Sequence, residues 1–181
     1  MSNFKLIKEE ISIYNENFAS EIIYNRKLNK NFLLVFISGS INKLVVYDEE
    51  HGTNEIARIL YVIRGKNLVV SELEVQEEFQ QNGIAKLLFN IALAQADLQG
   101  ATFAYGQVDP INNIKGIDAD NQRELKEKLI EIYTKLGCFY NKENNCFEIC
   151  LKENENISGL DSEIKKFVYL ITNNSPELID Y

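Results

Sequence analysis

The sequence predicts a single α/β domain, of the α+β kind, in which helices flank a mixed, mostly antiparallel central sheet. One observation is a set of four strand-like runs separated by short turn signals, which is typical of an antiparallel meander. These runs are Phe32 to Ile37, Leu44 to Asp48, Ile56 to Ile63 and Leu68 to Val75. A second observation is the strand, helix, strand order that follows, which predicts a parallel βαβ unit. A third is the length of 181 residues, which suits one domain with a sizeable core.

The segments around the meander also carry helical signals. Ile11, Tyr14, Phe18 and Ile22 recur at helical spacing, so we expect a helix or a helix pair over residues 9 to 28. The third and fourth runs of the meander are apolar at both odd and even positions. That pattern predicts helices on both faces of the sheet in this region.

The predicted parallel unit is followed by an unusually long connection. A helix from Ile84 to Leu98 is closed by Gly100, a plausible glycine C-cap, and leads into a strand from Thr102 to Val108. The loop from Asp109 to Asp120 is rich in Pro, Asn, Gly and Asp, and it is longer than a simple connection needs.

The last third of the chain predicts a helix, a hairpin and a final helix. Asn121 and Glu124 can form a capping box for a helix that ends at Gly137. The apolar face of this helix is Leu125, Leu129, Ile132, Tyr133 and Leu136. A hairpin is expected at Phe139-Tyr140 and Cys146 to Leu151, and an amphipathic helix at Ile164, Phe167, Val168 and Ile171, ending near Asn173. We therefore expect a domain at residues 1–156 and a C-terminal helical extension at 157–181.

The charge balance argues against some partners. Lys and Arg total 19 against 27 Asp and Glu, a formal net charge of −8, and no dense basic run is present, so we expect no nucleic-acid partner. A negative surface favours a cationic acceptor such as an amine, although net charge more often reflects solubility alone. The N-terminus has no signal-peptide pattern and no apolar run is long enough to span a bilayer. We therefore expect a cytoplasmic protein without a membrane partner.

Cysteine and histidine do not predict a metal site. Cys138, Cys146 and Cys150 form an odd set without a C-x-x-C pair, and we expect them to be small buried hydrophobes. His51 lies in "DEEHGTNE", where ligands crowded into one turn rarely form a coordination sphere, so a solvated loop is the simpler interpretation.

The segment "FQQNGIAKLL", residues 79 to 88, joins the last strand of the meander to the next helix. A chain that turns from strand into helix leaves backbone N–H groups without partners, and Gly83 lets a ligand approach them. Because a helix N-terminus carries partial positive charge, this arrangement suits an anion. The alternative is that Gly83 only shapes a tight turn.

This segment resembles the cofactor-binding motif of the GNAT superfamily of acyl-CoA-dependent N-acyltransferases. In that family a valine at the end of a strand precedes Arg/Gln-x-x-Gly-x-Gly/Ala, and here "EVQEEFQQNGIAKLL" supplies Val75, Gln80, Gly83 and Ala85. The resemblance implies that acetyl-CoA is the co-substrate and that its diphosphate lies on the amides of the turn. The implied cofactor contacts are Leu73, Val75, Gln80, Gln81, Asn82, Gly83, Ile84, Ala85 and Lys86.

A second motif, "IYTKLGCF", resembles the family's tyrosine four residues before a glycine, here Tyr133 and Gly137. The similarity covers roughly residues 32 to 151. It implies that pantetheine lies between two splayed strands, here residues 68–75 and 102–108. Departures from the family pattern are Cys138, which stands where phenylalanine is usual, Lys126, which replaces an asparagine, and the long loop after residue 108, which is a candidate lining of the acceptor site.

Acyl transfer to an amine needs a base for the nucleophile and a proton for the departing thiolate. The resemblance assigns the proton to Tyr133, although a tyrosine on an apolar helix face can equally be a packing residue. Glu72 and Glu74 lie on one face of the strand beside the implied thioester, so either is a candidate base, directly or through a water. Solvated charges at the sheet end are the alternative for both.

The resemblance implies an N-acetyltransferase that moves an acetyl group from acetyl-CoA to a primary amine of a small molecule or a protein. The alternative is a catalytically inactive acyl-CoA-binding or protein-interaction domain with the same fold. A scaffold that dimerises through its C-terminal helix is a third interpretation, and both a monomer and a homodimer remain open.

Overall fold

The computed structural model describes residues 4–6, 12–15, 18–49, 54–108, 119–152 and 154–173, and its centre is a ten-stranded sheet. The strands are β1 (Phe4–Leu6), β2 (Ser12–Asn15), β3 (Phe18–Asn25), β4 (Lys30–Ile37), β5 (Asn42–Asp48), β6 (Glu55–Arg64), β7 (Asn67–Val75), β8 (Phe103–Gln107), β9 (Phe139–Asn141) and β10 (Cys146–Cys150). The helices are α1 (Ile84–Leu98), α2 (Ala119–Lys135), α3 (Glu155–Ser158) and α4 (Ser162–Asn173). None of them is long and apolar enough to cross a membrane.

The strand order in the sheet is β1-β3-β4-β5-β6-β7-β8-β10-β9, and β2 also pairs with β3. Every described pair is antiparallel except β7 with β8. The strands β4 to β7 form the predicted meander, and β7, α1 and β8 form the predicted parallel unit. Both parts of the predicted fold class are therefore confirmed, and the β9–β10 hairpin also lies where the sequence predicts it.

The predicted N-terminal helix is wrong for the described residues, which form β2 and β3. All eight residues of β3 pair with β4, so the backbone groups find partners across the sheet rather than along a helix. Ala19 and Ile23 are buried, whereas Phe18 and Ile22 on the opposite face are half-buried. Phe18 and Ile22 are four residues apart, a spacing that suggested a helix. Because four is an even number, the same spacing also places two residues on one face of a strand, whose period is two residues. Ile11 lies outside the described residues.

One face of the sheet is deeply buried under α1, α2 and α4. Its fully buried side chains include Phe32, Leu34, Leu44, Ile59, Tyr61 and Leu68, and α1 contacts β6, β7 and α4. The apolar face of α4 lies where the sequence predicts and belongs to the same core: Ile164, Phe167, Val168 and Ile171 are buried.

The prediction that helices cover both faces is wrong for the described part of the chain. On the second face, Val62 and its cross-strand neighbour Val69 are only half-buried, and Tyr105 beside Val69 is exposed. Short turns of two to four residues connect β3, β4 and β5, and β6 to β7, so none of these connections can hold a covering helix.

Helix α2 begins earlier than predicted, because Ala119 and Asp120 are already helical and Asn121 lies inside the helix. Asn121 is therefore not the N-cap residue of this helix, contrary to the prediction, and Glu124 pairs with Lys128. The predicted apolar face of α2 is only partly buried: Tyr133 and Leu136 are buried, whereas Leu125 and Ile132 are exposed. The chain leaves the helix through Gly137, which has a φ of 88°.

Gly106 in β8 is required by close packing, which gives a stability prediction. A Cβ atom there would lie 2.6 Å from Cε1 of Phe147 and 2.6 Å from the carbonyl oxygen of Val70. We expect Gly106→Ala to destabilise the fold by about 1–3 kcal/mol, because both neighbours are held by the sheet. Gly39→Ala is the control, since its nearest atom would be 3.4 Å away. Urea unfolding midpoints measure both, and an unchanged midpoint for Gly106→Ala would contradict the described packing.

Candidate active site

Strands β7 and β8 separate after a short parallel stretch. They pair from Asn67 with Phe103 to Val70 with Gly106, and β7 then continues to Val75 without a β8 partner. On its other edge β7 stays paired with β6, with a register shift opposite Leu60 and Tyr61. Beyond Val70 the backbone of β7 therefore has N–H and C=O groups without a β8 partner, which suits a ligand that pairs like an added strand.

The separated end of β7 leads directly into the turn before α1. We call residues 80 to 86 the α1 turn. The Nε2 atom of Gln80 donates a hydrogen bond to the carbonyl of Val75 at 3.1 Å. This bond ties the α1 turn to the end of β7. Gln81 and Gly83 have left-handed backbone conformations, with φ values of 59° and 85°.

The N-terminus of α1 has no side-chain cap, although the helix is 15 residues long. The first bond from its amides runs from Leu87 to the carbonyl of Gly83 at 3.0 Å. The N–H groups of Ile84, Ala85 and Lys86 therefore have no partner within the helix. Ala85 is half-buried and Lys86 is exposed at the rim, so the turn offers free amides beside one cation.

Tyr133 is buried in the last turn of α2, on the helix-covered face of the sheet. Its ring stacks on Phe147 with a centroid separation of 4.0 Å and meets the edge of Phe89 in α1 at 6.2 Å. Its hydroxyl makes no hydrogen bond to any described residue. Burial, with the neighbouring Cys138, raises the pKa of Tyr133 to about 12, so the hydroxyl stays protonated at neutral pH.

Glu72 and Glu74 lie on the opposite face of the sheet, where both bind Arg58 of β6. The Arg58 guanidinium contacts Glu72 and lies 2.7 Å from Glu74 and 2.8 Å from Glu55. Lys43 in β5 also binds Glu55, at 3.0 Å. Three carboxylates thus share two cations at the end of β7 that lies beside the gap.

Arg58 and Glu55 in this cluster have shifted pKa values. The hydrogen bonds that Arg58 donates to Glu55 and Glu72 raise the pKa of Arg58 above its ordinary value. Partial burial opposes ionisation of Glu55, but the hydrogen bonds from Arg58 and Lys43 outweigh it and lower its pKa. A cavity of about 280 Å³ opens beside the cluster. It is lined by Glu55, Ile56, Ala57, Arg58, Glu74 and Gln76.

The cysteines differ in exposure, contrary to the expectation that all three are buried. Cys138 is buried and burial raises its pKa to about 12, whereas Cys146 is half-buried and Cys150 is exposed. Cys150 is exposed because it pairs with Phe103 on the face that no described helix covers. Across the ranges that the structure describes, no group of His, Cys, Asp and Glu side chains could hold a metal. His51 and residues 109–118 lie outside those ranges.

The site therefore has two sides joined by the gap between β7 and β8. The predicted cofactor residues Leu73 and Val75 line the strand end, and residues 80–86 form the adjacent turn. Tyr133 lies on the helix-covered face and the two glutamates on the other. Arg58, which binds both candidate bases, was not predicted. No local sequence pattern indicates an ion pair between neighbouring strands.

Comparison with solved structures gives the fold. A cAMP-binding acyltransferase from Mycobacterium smegmatis superposes with a TM-score of 0.61 at 14% identity, over 87% of this chain and 54% of that chain. A point mutant of the same protein gives 0.52 at 16% identity, over 75% and 38%. A putative GNAT-family acetyltransferase from Desulfovibrio desulfuricans gives 0.47 at 8% identity, over 62% and 70%.

The present chain spans about half the length of the mycobacterial acyltransferase chain. No protein-family model matches the chain, and no curated protein sequence matches it significantly. The chain shares the fold of the mycobacterial acyltransferase, with a mixed, mostly antiparallel sheet flanked by helices.

Proposed function

We propose that the protein is an N-acetyltransferase that uses acetyl-CoA and a primary amine of a small molecule or a protein. The observation that carries the proposal is the continuous path from the unpaired end of β7 into the uncapped N-terminus of α1. A thioester with a long amide-containing arm and a diphosphate matches this path, because the arm can pair with strand backbone and the diphosphate with free amides.

The cofactor would occupy the path from end to end. Its diphosphate binds the amides of the α1 turn, where Gly83 permits close approach and Lys86 adds a charge. Its pantetheine amides pair with the backbone near Leu73 and Val75. The thioester then lies in the gap between β7 and β8, with Tyr133 on one side and the glutamates on the other.

The chemistry follows from these two sides. The amine nitrogen attacks the thioester carbonyl, and a C–N bond forms while the C–S bond breaks. A carboxylate of the Glu72–Glu74 pair, directly or through a water, takes the proton that the amine loses. Tyr133 donates a proton to the departing thiolate and regains one from solvent, so the products are the amide and free coenzyme A.

Glu74 is the better placed of the two carboxylates. It lines the cavity beside the cluster and its side chain is 49% exposed, against 22% for Glu72. The excess of carboxylates over cations there favours a protonated amine as it approaches.

Substitution of the two carboxylates by glutamine tests this assignment. We expect Glu74→Gln to lower kcat by about 10²-fold or more, as for loss of a general base. Glu72→Gln should have a smaller effect, because Glu72 is less exposed than Glu74 and contacts Arg58. Release of free thiol from acetyl-CoA, measured with a panel of primary amines, gives both rates. Equal and full activity in both variants would contradict a carboxylate base.

One observation favours a second candidate function. Both Glu72 and Glu74 are bound by Arg58, an arrangement that also suits a purely structural ion-pair cluster. A catalytically inactive acyl-CoA-binding domain would keep the path for the cofactor and need no base. Such a protein would bind acetyl-CoA and release no thiol with any amine.

A further inference from the structure

We propose that the turn between β3 and β4 aims two amides of the α1 turn at the cofactor, with Asn25 and Lys27 as positioning residues. The inference rests on the proposed function, because it concerns the same diphosphate site. It is carried by contacts that join segments more than 50 residues apart in sequence.

Asn25, the last residue of β3, is fully buried and uses both ends of its amide. Its Oδ1 accepts hydrogen bonds from the backbone amides of Lys27 at 2.9 Å and Leu28 at 3.0 Å, which fixes the turn after β3. Its Nδ2 donates to the backbone carbonyl of Asn82 at 3.1 Å. One side chain therefore shapes the β3–β4 turn and ties it to the α1 turn.

Lys27 makes a second link, one residue earlier in the α1 turn. Its Nζ donates to the backbone carbonyl of Gln81 at 2.7 Å. Gln81 is left-handed, with a φ of 59°, a conformation that a non-glycine residue keeps only when its surroundings hold it. The hydrogen bond from Lys27 stabilises Gln81 in this conformation.

These two contacts also determine the direction of the N–H groups in the same peptides. In a trans peptide the carbonyl of one residue and the N–H of the next point in opposite directions, and no described peptide bond is cis. Because the carbonyls of Gln81 and Asn82 point toward the β3–β4 turn, the N–H groups of Asn82 and Gly83 point away from it. These N–H groups thus join those of the first residues of α1 on the side proposed for the diphosphate.

Asn25 and Lys27 lie behind the α1 turn and do not touch the cofactor. Their loss should therefore weaken binding of the diphosphate part and leave the pantetheine part unchanged. A residue that merely stabilises the fold would instead affect both parts alike.

The test compares acetyl-CoA with acetyl-pantetheine, which lacks the diphosphate. We expect Lys27→Met to raise the Kd for acetyl-CoA about fivefold and Asn25→Ala about tenfold, as when a hydrogen bond that orients the site is lost. The Kd for acetyl-pantetheine should stay within about twofold for both variants, and Lys27→Arg should restore much of the acetyl-CoA affinity.

Arg26→Met is the matched control, because it removes the same charge one residue away. Arg26 is exposed and makes no polar contact with any described residue, so its loss should change the Kd less than about twofold. Because Asn25 is buried, the Asn25→Ala variant can fail to fold. In that case the test depends on Lys27→Met, because the Lys27 side chain is exposed.

The outcomes separate the two proposals. Wild-type protein that binds acetyl-CoA, with a folded Lys27→Met variant that binds it equally well, would overturn this inference and leave the proposed function intact. A loss equal to that of Arg26→Met, or one shared by acetyl-pantetheine, would also overturn it. Folded wild-type protein that binds no acetyl-CoA would overturn the proposed function and this inference together.

Discussion

A Tyr133→Phe variant is expected to lose acetyl transfer while it keeps acetyl-CoA binding. The ring's stacking on Phe147 and its contact with Phe89 do not involve the hydroxyl, so the variant should fold normally. The pKa of about 12 keeps the hydroxyl protonated at neutral pH, as a general acid for the thiolate requires. We expect kcat to fall by about 10²–10⁴-fold, with the Kd for acetyl-CoA within about twofold.

Tyr140→Phe is the matched control for the loss of a hydroxyl. Tyr140 lies in β9, which is separated from β8 by β10, and its hydroxyl donates to Asn145 at 3.0 Å. Thiol release and calorimetric binding should be measured for both variants. If Tyr133→Phe transfers acetyl at the wild-type rate, Tyr133 is a packing residue and another group protonates the thiolate.

Replacement of Gly83 by aspartate should abolish acetyl-CoA binding. Gly83 is left-handed, with a φ of 85°. In the proposed binding mode the diphosphate approaches the amides of the α1 turn at this residue. A carboxylate about 4 Å from a phosphate charge costs roughly 4 kcal/mol near a protein surface, so we expect the Kd to rise at least about 100-fold. Calorimetric titration of the folded variant measures this.

Gly83→Asn separates charge from backbone strain. Asparagine has nearly the shape of aspartate and tolerates the left-handed region better than most residues, but it is neutral. We expect its Kd to rise only a few-fold. Equal losses in both variants would mean that Gly83 shapes the turn and that no anion lies against it.

The local signals in the sequence were sufficient for the meander, the βαβ unit and the α1 turn. Strand-like runs, short turn signals and a glycine before an amphipathic helix each depend on residues close together in the chain. The position of Tyr133 on α2 followed from the same kind of pattern. These features were predictable because neighbouring residues determine them.

The features of the fold and of the site that were not predicted depend on pairing between segments far apart in the sequence. Phe18 and Ile22 fit helix and strand periods equally, and only the partner β4 decides between them. The links from Asn25 and Lys27 to the α1 turn, and from Arg58 to the glutamates, join residues with no sequence motif in common. The exposure of the second face of the sheet was also not predicted, because an apolar run does not show whether a helix is available to cover it.

The proposed function depends on whether the path along β7 and the α1 turn binds acyl-coenzyme A. Calorimetric titration of the wild-type protein with acetyl-CoA measures this binding, and circular dichroism shows that the protein is folded. We expect saturable binding at one site per chain, with displacement by free coenzyme A. If folded protein gives no heat of binding at millimolar acetyl-CoA, the proposed function is wrong.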